Sequence, residues 1–143
     1  MFYVDTSVLV SALTNERASA VSKAFLVSTD PEELCLSPWV ITEFSSALAL
    51  KLWTGQIDRM ARTTVLAGFT RLVTDSFTEF PITAQHFDAA ARFCDQDQLG
   101  IRAGDALHLA IAMAHGAHLV TLDRRLFEAG LAVGAAVRDL QDA

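Results

Sequence analysis

Short apolar runs alternate along this chain with longer segments in which apolar residues recur every three or four positions. The short runs predict strands at residues 2–4, 34–36, 77–80, 118–122 and 135–138, of which the first and the fourth are expected to be buried. The longer segments predict helices at residues 6–13, 18–28, 38–54, 58–74, 83–98, 103–115 and 124–129. Glycines directly after three of the helices are the expected stops, namely Gly55, Gly116 and Gly130. This alternation predicts one α/β domain over residues 1–143, with a central and mostly parallel sheet.

Composition and the first residues narrow the class of protein. Hydrophobic residues make up 52% and charged residues 20%, which is typical of a packed globular protein. The longest uncharged stretch, residues 106–122, is interrupted by Gly116, so we expect no membrane span. The N-terminus MFYVD has no basic region before its apolar residues, which argues against a secretory signal. Cys35 and Cys94 suit buried thiols in a reducing compartment, and the predicted location is the cytoplasm.

Three aspartates stand at the rims of predicted elements. Asp5 follows the first strand, Asp123 follows the strand at 118–122, and Asp105 lies in the first turn of the helix at 103–115. Such rim positions of an α/β core often carry metal or phosphate chemistry. Each aspartate also has a structural explanation, because Asp favours helix N-caps and first turns.

Glu43 has no such structural explanation. It lies in the middle of the helix at 38–54, where no capping role exists, and shares the apolar stripe of Val40 and Ala47. A glutamate that faces the core is costly unless a partner or a cation meets it. The functional interpretation of Glu43 is therefore favoured.

The four acids predict a metal site if they meet in one cleft. Four carboxylates repel one another, and divalent cations would balance their charge, as in two-metal phosphodiester cleavage. Ligation by oxygen alone indicates Mg²⁺, or Mn²⁺ as a substitute, so Asp5, Glu43, Asp105 and Asp123 are the candidate catalytic residues and metal ligands. His108 follows Asp105 by one turn; it is a candidate ligand or base, but a hydrogen-bonded histidine beside the core is the favoured interpretation.

The chain also carries the segments FYVDTSVLV, SPWVITEFSSAL, RAGDALHLA and HLVTLDRRL, the last followed by GLAVGAAV. In this combination, which covers nearly the whole chain, it resembles the PIN-domain ribonucleases, and among them the VapC toxins of type II toxin–antitoxin pairs. The resemblance implies a PIN-like three-layer sandwich with about five parallel strands flanked by helices. It also implies Mg²⁺-dependent cleavage of RNA and a cognate VapB-type antitoxin.

Residue by residue, the resemblance assigns roles at the site. The four acids match the family's acidic positions, and Asp5 and Asp105 match those usually credited with Mg²⁺. Hydroxyl residues that line or support the site are matched by Thr6, Ser7 and Thr121.

The formal net charge of −6 argues against a general nucleic-acid coat protein, which is normally basic. At an RNA-cleaving site, metal ions rather than lysines would neutralise the phosphate. Three arginines flank the acids and either hold the RNA backbone or pair with surface acids: Arg102, Arg124 and Arg125.

The helices at 18–28 and 38–54 are more apolar than a small domain should expose. By resemblance, the cleft between them receives an apolar antitoxin helix followed by a basic residue that reaches the carboxylates. The alternative is that their apolar residues belong to the core or to a homodimer contact, and a homodimer is also expected. The residues concerned are Phe25, Phe44, Leu48, Leu52 and Trp53.

Other classes of protein fit less well. A phosphatase of haloacid-dehalogenase type needs a second Asp two positions after the first, where this chain has Ser7. A receiver-like phosphorylation module needs an acidic pair after the first strand and a late lysine, but lysine occurs only at Lys23 and Lys51. A catalytically inactive PIN scaffold would be expected to have lost one of the four acids, and none is missing.

Overall fold

A computed structural model of the chain describes residues 1–141 and contains one parallel sheet. Its five strands are β1 (Phe2–Val4), β2 (Leu34–Leu36), β3 (Thr78–Glu79), β4 (His118–Thr121) and β5 (Val137–Asp139). They lie side by side in the order β3-β2-β1-β4-β5, and every neighbouring pair is parallel. The predicted α/β class, the parallel sheet and the strand number are confirmed.

The order of the strands places a switch point at the centre of the sheet. The chain moves outward from β1 to β2 and β3, and then returns to lay β4 on the opposite side of β1. Connections that leave in opposite directions open a crevice at the carboxyl ends of the two central strands, and ligands of open α/β sheets bind there. Asp5 directly follows β1, and Asp123 lies two residues after β4.

Helices flank the sheet in two groups. The first group packs around the first helix, and the second packs around the helix that precedes β4. Within residues 1–141 the helices are α1 (Thr6–Leu13), α2 (Ser19–Ser28), α3 (Pro38–Trp53), α4 (Arg59–Ser76), α5 (Ala84–Asp95), α6 (Ala103–Ala114) and α7 (Arg124–Ala132). Two short 3₁₀ turns, Pro31–Glu33 and Asp97–Leu99, complete the described chain. None of the described helices combines the length and hydrophobicity that crossing a bilayer requires.

Two predicted helix ends were wrong. The helix predicted to run to residue 98 ends at Asp95. Gly130 does not stop α7, which continues to Ala132. A Cβ on Gly130 would lie 2.4 Å from Cγ1 of Val137, so this glycine allows the helix to pack closely on β5. Gly55 and Gly116 do have positive φ angles, of 74° and 62°, as expected of residues that end helices.

Burial decides between the two alternatives stated for the apolar residues of α2 and α3, and it corrects the expectation for Cys94. Phe25, Phe44 and Leu48 are buried, so they belong to the core and not to an exposed docking surface. Cys35 is buried as expected, but Cys94 is exposed, because α5 turns that position toward solvent. Trp53, by contrast, is 79% exposed at the end of α3.

Candidate active site at the carboxyl ends of β1 and β4

Asp5 is held in place by the elements on both sides of the switch point. Its Oδ1 accepts a hydrogen bond from the backbone N–H of Ser7, which makes Asp5 the N-cap of α1. Its Oδ2 accepts from the hydroxyl of Thr121 at the end of β4. Burial raises the pKa of Asp5, while the charge of His108 and the hydrogen bonds from Thr121 and Ser7 act in the opposite direction. The carboxylate is thus a fixed, almost fully buried wall of the cleft.

The hydroxyl residues at the site join the same elements. The backbone N–H of Leu122 donates to Oγ of Ser7 over 3.0 Å, and that of Asp123 donates to Oγ1 of Thr121 over 2.9 Å. Thr6 donates from Oγ1 to Oε1 of Glu43 over 2.8 Å. The structure therefore brings Thr6, Ser7 and Thr121 into direct contact with the acids or with the backbone that carries them.

Glu43 lies beside the buried stripe of α3 and not in it. The buried positions are Val40, Phe44 and Leu48, and the side chain of Glu43 is 30% exposed. The same Oε1 that accepts from Thr6 also contacts Nε2 of His108. Burial acts to raise the pKa of Glu43, but the hydrogen bond and charge of His108 and the bond from Thr6 lower it below its usual value. Glu43 has the partner that its position in mid-helix required.

Asp105 differs from Asp5 and Glu43 in how its carboxylate is held. No hydrogen bond or ion pair to residues 1–141 holds its carboxylate, which is half-buried in the first turn of α6. Burial raises its pKa to about 6, and the negative charges of Asp123, Asp5 and Glu43 act in the same direction against the opposing charge of His108. Oε2 of Glu43 lies 3.1 Å from where a Cβ on the neighbouring Gly104 would be, and Thr121 links Asp5 to the backbone of Asp123, so the acids, which lie far apart in the sequence, are near one another in the fold.

Asp123 has a structural role and a place at the cleft at the same time. Its Oδ1 accepts from the backbone N–H groups of Arg125 and Leu126, at 2.8 Å and 3.2 Å, and so caps α7. Asp123 can therefore cap α7 with one oxygen and still contribute its charge to the cleft.

A pair of substitutions separates these two roles of Asp123. Asp123→Asn is expected to keep the cap, because asparagine is an equally good N-cap, while it removes one charge from the cleft. Asp123→Ala is expected to lower the free energy of unfolding by about 1 kcal/mol. Thermal unfolding of both variants checks this, and equal stability of the two would show that the cap contributes nothing.

The chemistry of the donor set fits a hard divalent ion. Every candidate ligand is a carboxylate, and oxygen-only ligation favours Mg²⁺ or Mn²⁺. Within the described residues, however, no three acidic, histidine or cysteine side chains stand close enough together to hold an ion as they are placed. Several carboxylate oxygens already accept hydrogen bonds, in Asp5, Glu43 and Asp123. The side chain of Asp105 is the one that no such bond restrains within residues 1–141.

The arginines near the site differ from one another. Nε of Arg124 lies 2.9 Å from Glu128, and its Nη1 lies 3.7 Å from Asp139, so this arginine pairs with acids as the alternative interpretation expected. Arg102 and Arg125 are exposed. Arg17 was missed by sequence reasoning, because its loop between α1 and α2 has no recognisable pattern.

Arg17 lines a groove that begins beside the acids. The groove has a volume of about 430 Å³. Its walls come from α1, the loop between α1 and α2, α3 and the segment after β4, and include Thr6, Ser7, Arg17, Ala47 and Leu122. The groove adjoins the site through Thr6 and Ser7, which directly follow Asp5.

The fold and the site together define an α/β protein with an acidic cleft at the switch point of a parallel sheet. The family model of the PIN domain matches residues 2–130, and the chain belongs to the PIN domain family. This membership confirms the family resemblance and leaves no support for the haloacid-dehalogenase alternative. A comparison with curated protein sequences gave no significant match.

Solved structures of similar fold come from toxin–antitoxin proteins. FitAcB of Neisseria gonorrhoeae superimposes with a TM-score of 0.78 at 20% identity, and the match covers 100% of both chains. VapC20 of Mycobacterium tuberculosis, a toxin that cleaves the sarcin–ricin loop, gives 0.73 at 19% identity over 94% of this chain and 96% of its own. DNA-bound VapBC of Salmonella typhimurium gives 0.70 at 17% identity over 97% of each chain. At these identities the likeness establishes the fold.

Proposed function

We propose that this protein is a Mg²⁺-dependent endoribonuclease and the toxin of a VapBC-type toxin–antitoxin pair. The observation that carries the proposal is the approach of Asp5, Glu43, Asp105 and Asp123 to one another at the switch point, through Thr6, Thr121 and the close contact of Glu43 with Gly104. Membership of the PIN domain family supports it, as does the similarity in fold to toxins of toxin–antitoxin complexes. The proposal takes residues 1–143 as one domain that acts in the cytoplasm.

In the proposed mechanism the four carboxylates would hold the metal ion, Mg²⁺ or Mn²⁺ as its substitute. The bound metal supplies an attacking water of lowered pKa and stabilises negative charge on the leaving oxygen. Asp5 and Glu43 are kept in place by their hydroxyl and imidazole partners, while Asp105 is unrestrained and adjusts to the ligand. Oδ1 of Asp123 caps α7, and in this mechanism its Oδ2 would serve the metal.

Exposed arginines position the RNA in this proposal. Arg102 immediately precedes α6, which carries Asp105, and Arg125 lies in the first turn of α7 beside Asp123. Arg17 lines the groove from the loop that follows α1. Contacts of this kind bind phosphate without reading sequence, so they orient the RNA backbone and leave target choice to other residues.

The proposed partners are an antitoxin and a second copy of the chain. The groove lined by Thr6, Ser7 and Ala47 would receive the antitoxin segment, and a basic residue of that segment would reach the neighbouring carboxylates by charge complementarity. Apolar side chains exposed at the hairpin between α3 and α4 would supply the hydrophobic part of an interface: Leu50, Trp53 and Met60.

The experiment that tests the function is a cleavage assay with purified protein. We expect total RNA to be cut at defined positions with Mg²⁺ or Mn²⁺, and to remain intact when EDTA removes the metal. Single-stranded DNA of matched sequence serves as the control for substrate class. Cleavage that persists in EDTA would contradict the metal-dependent mechanism, and RNA left intact under saturating metal by protein that binds Mn²⁺ would contradict the nuclease assignment.

A further inference from the structure

A chain of hydrogen bonds runs from the core to one of the four acids. Oγ of Ser37 lies 2.7 Å from the hydroxyl of Tyr3, and that hydroxyl lies 2.9 Å from Nδ1 of His108. Nε2 of the same imidazole contacts Oε1 of Glu43. Ser37 and Tyr3 are fully buried and His108 is 2% exposed, so only the last member reaches the cleft.

We propose that His108 is a positioning residue, which Tyr3 and Ser37 orient so that its ring holds the carboxylate of Glu43 toward the metal site. The inference deepens the proposed function and rests on it. Under this proposal the buried Tyr3 and Ser37 influence the metal site through His108, although neither of them contacts the site.

The order of donors follows from the chemistry of the end groups. An ionised carboxylate only accepts hydrogen bonds, so Nε2 of His108 must carry the proton that it shares with Glu43. Nδ1 then accepts from the hydroxyl of Tyr3, or, in the imidazolium, donates to it while Tyr3 donates to Ser37. In both arrangements all three groups are satisfied, and the N–H at Nε2 stays directed at Glu43.

The other oxygen of Glu43 faces the turn that carries Asp105. A Cβ on Gly104 would lie 3.1 Å from Oε2 of Glu43, so the glycine leaves room for that oxygen against α6. Oε1 is meanwhile held by two donors, Thr6 and His108. Oε1 of Glu43 is therefore fixed by two hydrogen bonds, while Oε2 faces the first turn of α6.

Simple core packing does not explain this arrangement. Tyr3, Ser37 and His108 place several polar atoms among fully buried apolar neighbours, where each unpaired atom would be costly. Apolar side chains of similar size would fill the same space without needing hydrogen-bond partners. Residues that hydrogen-bond to metal ligands commonly control how firmly those ligands bind the metal.

The test uses variants that remove one link at a time. His108→Leu removes the donor to Glu43, His108→Gln restores an N–H near the position of Nε2, and Tyr3→Phe removes only the hydroxyl that orients the ring. Ser22→Ala is the matched control, because Ser22 is a buried serine in α2 whose Oγ has no hydrogen-bond partner in residues 1–141. Mn²⁺ affinity is measured by electron paramagnetic resonance of the unbound ion, alongside thermal unfolding and the Mg²⁺ dependence of RNA cleavage.

We expect the dissociation constant of Mn²⁺ to rise about 10- to 100-fold in His108→Leu. His108→Gln should recover most of that loss, Tyr3→Phe should show an intermediate loss, and Ser22→Ala should match the wild type. The Mg²⁺ concentration for half-maximal cleavage should shift in the same order.

The inference is overturned if Tyr3→Phe, and His108→Leu where it folds, lose thermal stability but bind Mn²⁺ as tightly as the wild type. Wild-type protein that neither binds Mn²⁺ nor cleaves RNA would overturn the proposed function as well. If the wild type cleaves RNA and Tyr3→Phe and His108→Leu bind Mn²⁺ with unchanged affinity, only the positioning role is overturned.

Discussion

Replacing Asp105 with asparagine is expected to abolish RNA cleavage and, in the absence of metal, to make the protein more stable. Asparagine keeps the shape of the side chain but removes a charge that three other acids oppose. The displacement of the pKa from 3.8 to about 6 sets an upper limit of about 3 kcal/mol, because one pKa unit corresponds to about 1.36 kcal/mol. Solvent screening at this half-buried position reduces the expected gain to about 1–2 kcal/mol.

The same charge predicts how stability depends on pH. The pKa of Asp105 is higher in the folded chain than in the unfolded chain, so the folded state binds more protons between these two values. Protonation of Asp105 therefore favours the folded state. This contribution to the free energy of unfolding is fully present below the unfolded pKa of 3.8 and is lost as the pH rises through about 6. Across this window the wild type should lose more stability than Asp105→Asn.

Thermal unfolding at several pH values, with and without Mg²⁺, measures these effects. For a chain of this size 1 kcal/mol corresponds to about 2–4 °C, so the metal-free variant should unfold about 2–8 °C above the wild type near neutral pH. Mg²⁺ should raise the unfolding temperature of the wild type and do little for the variant. A variant that unfolds well below the wild type would show that Asp105 is a structural acid.

Leu48 and Trp53 are expected to respond to substitution in opposite ways, although both lie on α3. Leu48 is 0% exposed, and Leu48→Ala should lower the free energy of unfolding by about 2–5 kcal/mol. Trp53 is 79% exposed, and Trp53→Ser should change it by no more than about 0.5 kcal/mol. Denaturant unfolding of the two variants measures both values.

The exposed residue then tests the proposed partners. Trp53→Ser should weaken binding of the antitoxin or self-association of the chain, because large aromatic side chains carry much of the energy of interfaces. Calorimetry with the antitoxin and light scattering of the isolated protein separate the two partners. If both measurements match the wild type, the exposed end of α3 takes no part in either interface.

The periodicity of the chain was sufficient for the architecture. The strands at residues 2–4 and 34–36 are short, apolar and bounded by polar residues, and the structure confirms them at those bounds. The helix that begins at Pro38 after Ser37 is confirmed as well, because proline at the first helical position is a local signal. Helix type and strand type depend on neighbours within a few positions, and such neighbours are visible in a sequence.

The candidate acids were also visible, because their positions were unusual in local terms. Asp5 and Asp123 follow strands that lie side by side at the centre of the sheet, so their convergence follows from the topology. Glu43 stood out as a charge that the sequence placed within an apolar stripe, although the structure places it beside that stripe. What could not be read was its partner: His108 lies 65 positions away in the sequence, and nothing local connects the two.

The tertiary structure alone decided which apolar faces are covered and which polar groups meet. The sequence left Phe44 and Leu48 open between the core and a docking surface, because a helix pattern shows how apolar a face is but not which elements pack on it. Gly130 looked like a helix stop in the sequence. The actual reason for a glycine there is the close contact with Val137, which lies seven residues later on a strand. Tyr3 looked like an ordinary core residue of β1 until its hydroxyl was found between Ser37 and His108. In each case the deciding contact joins elements distant in the chain, and one-dimensional periodicity contains no information about such contacts.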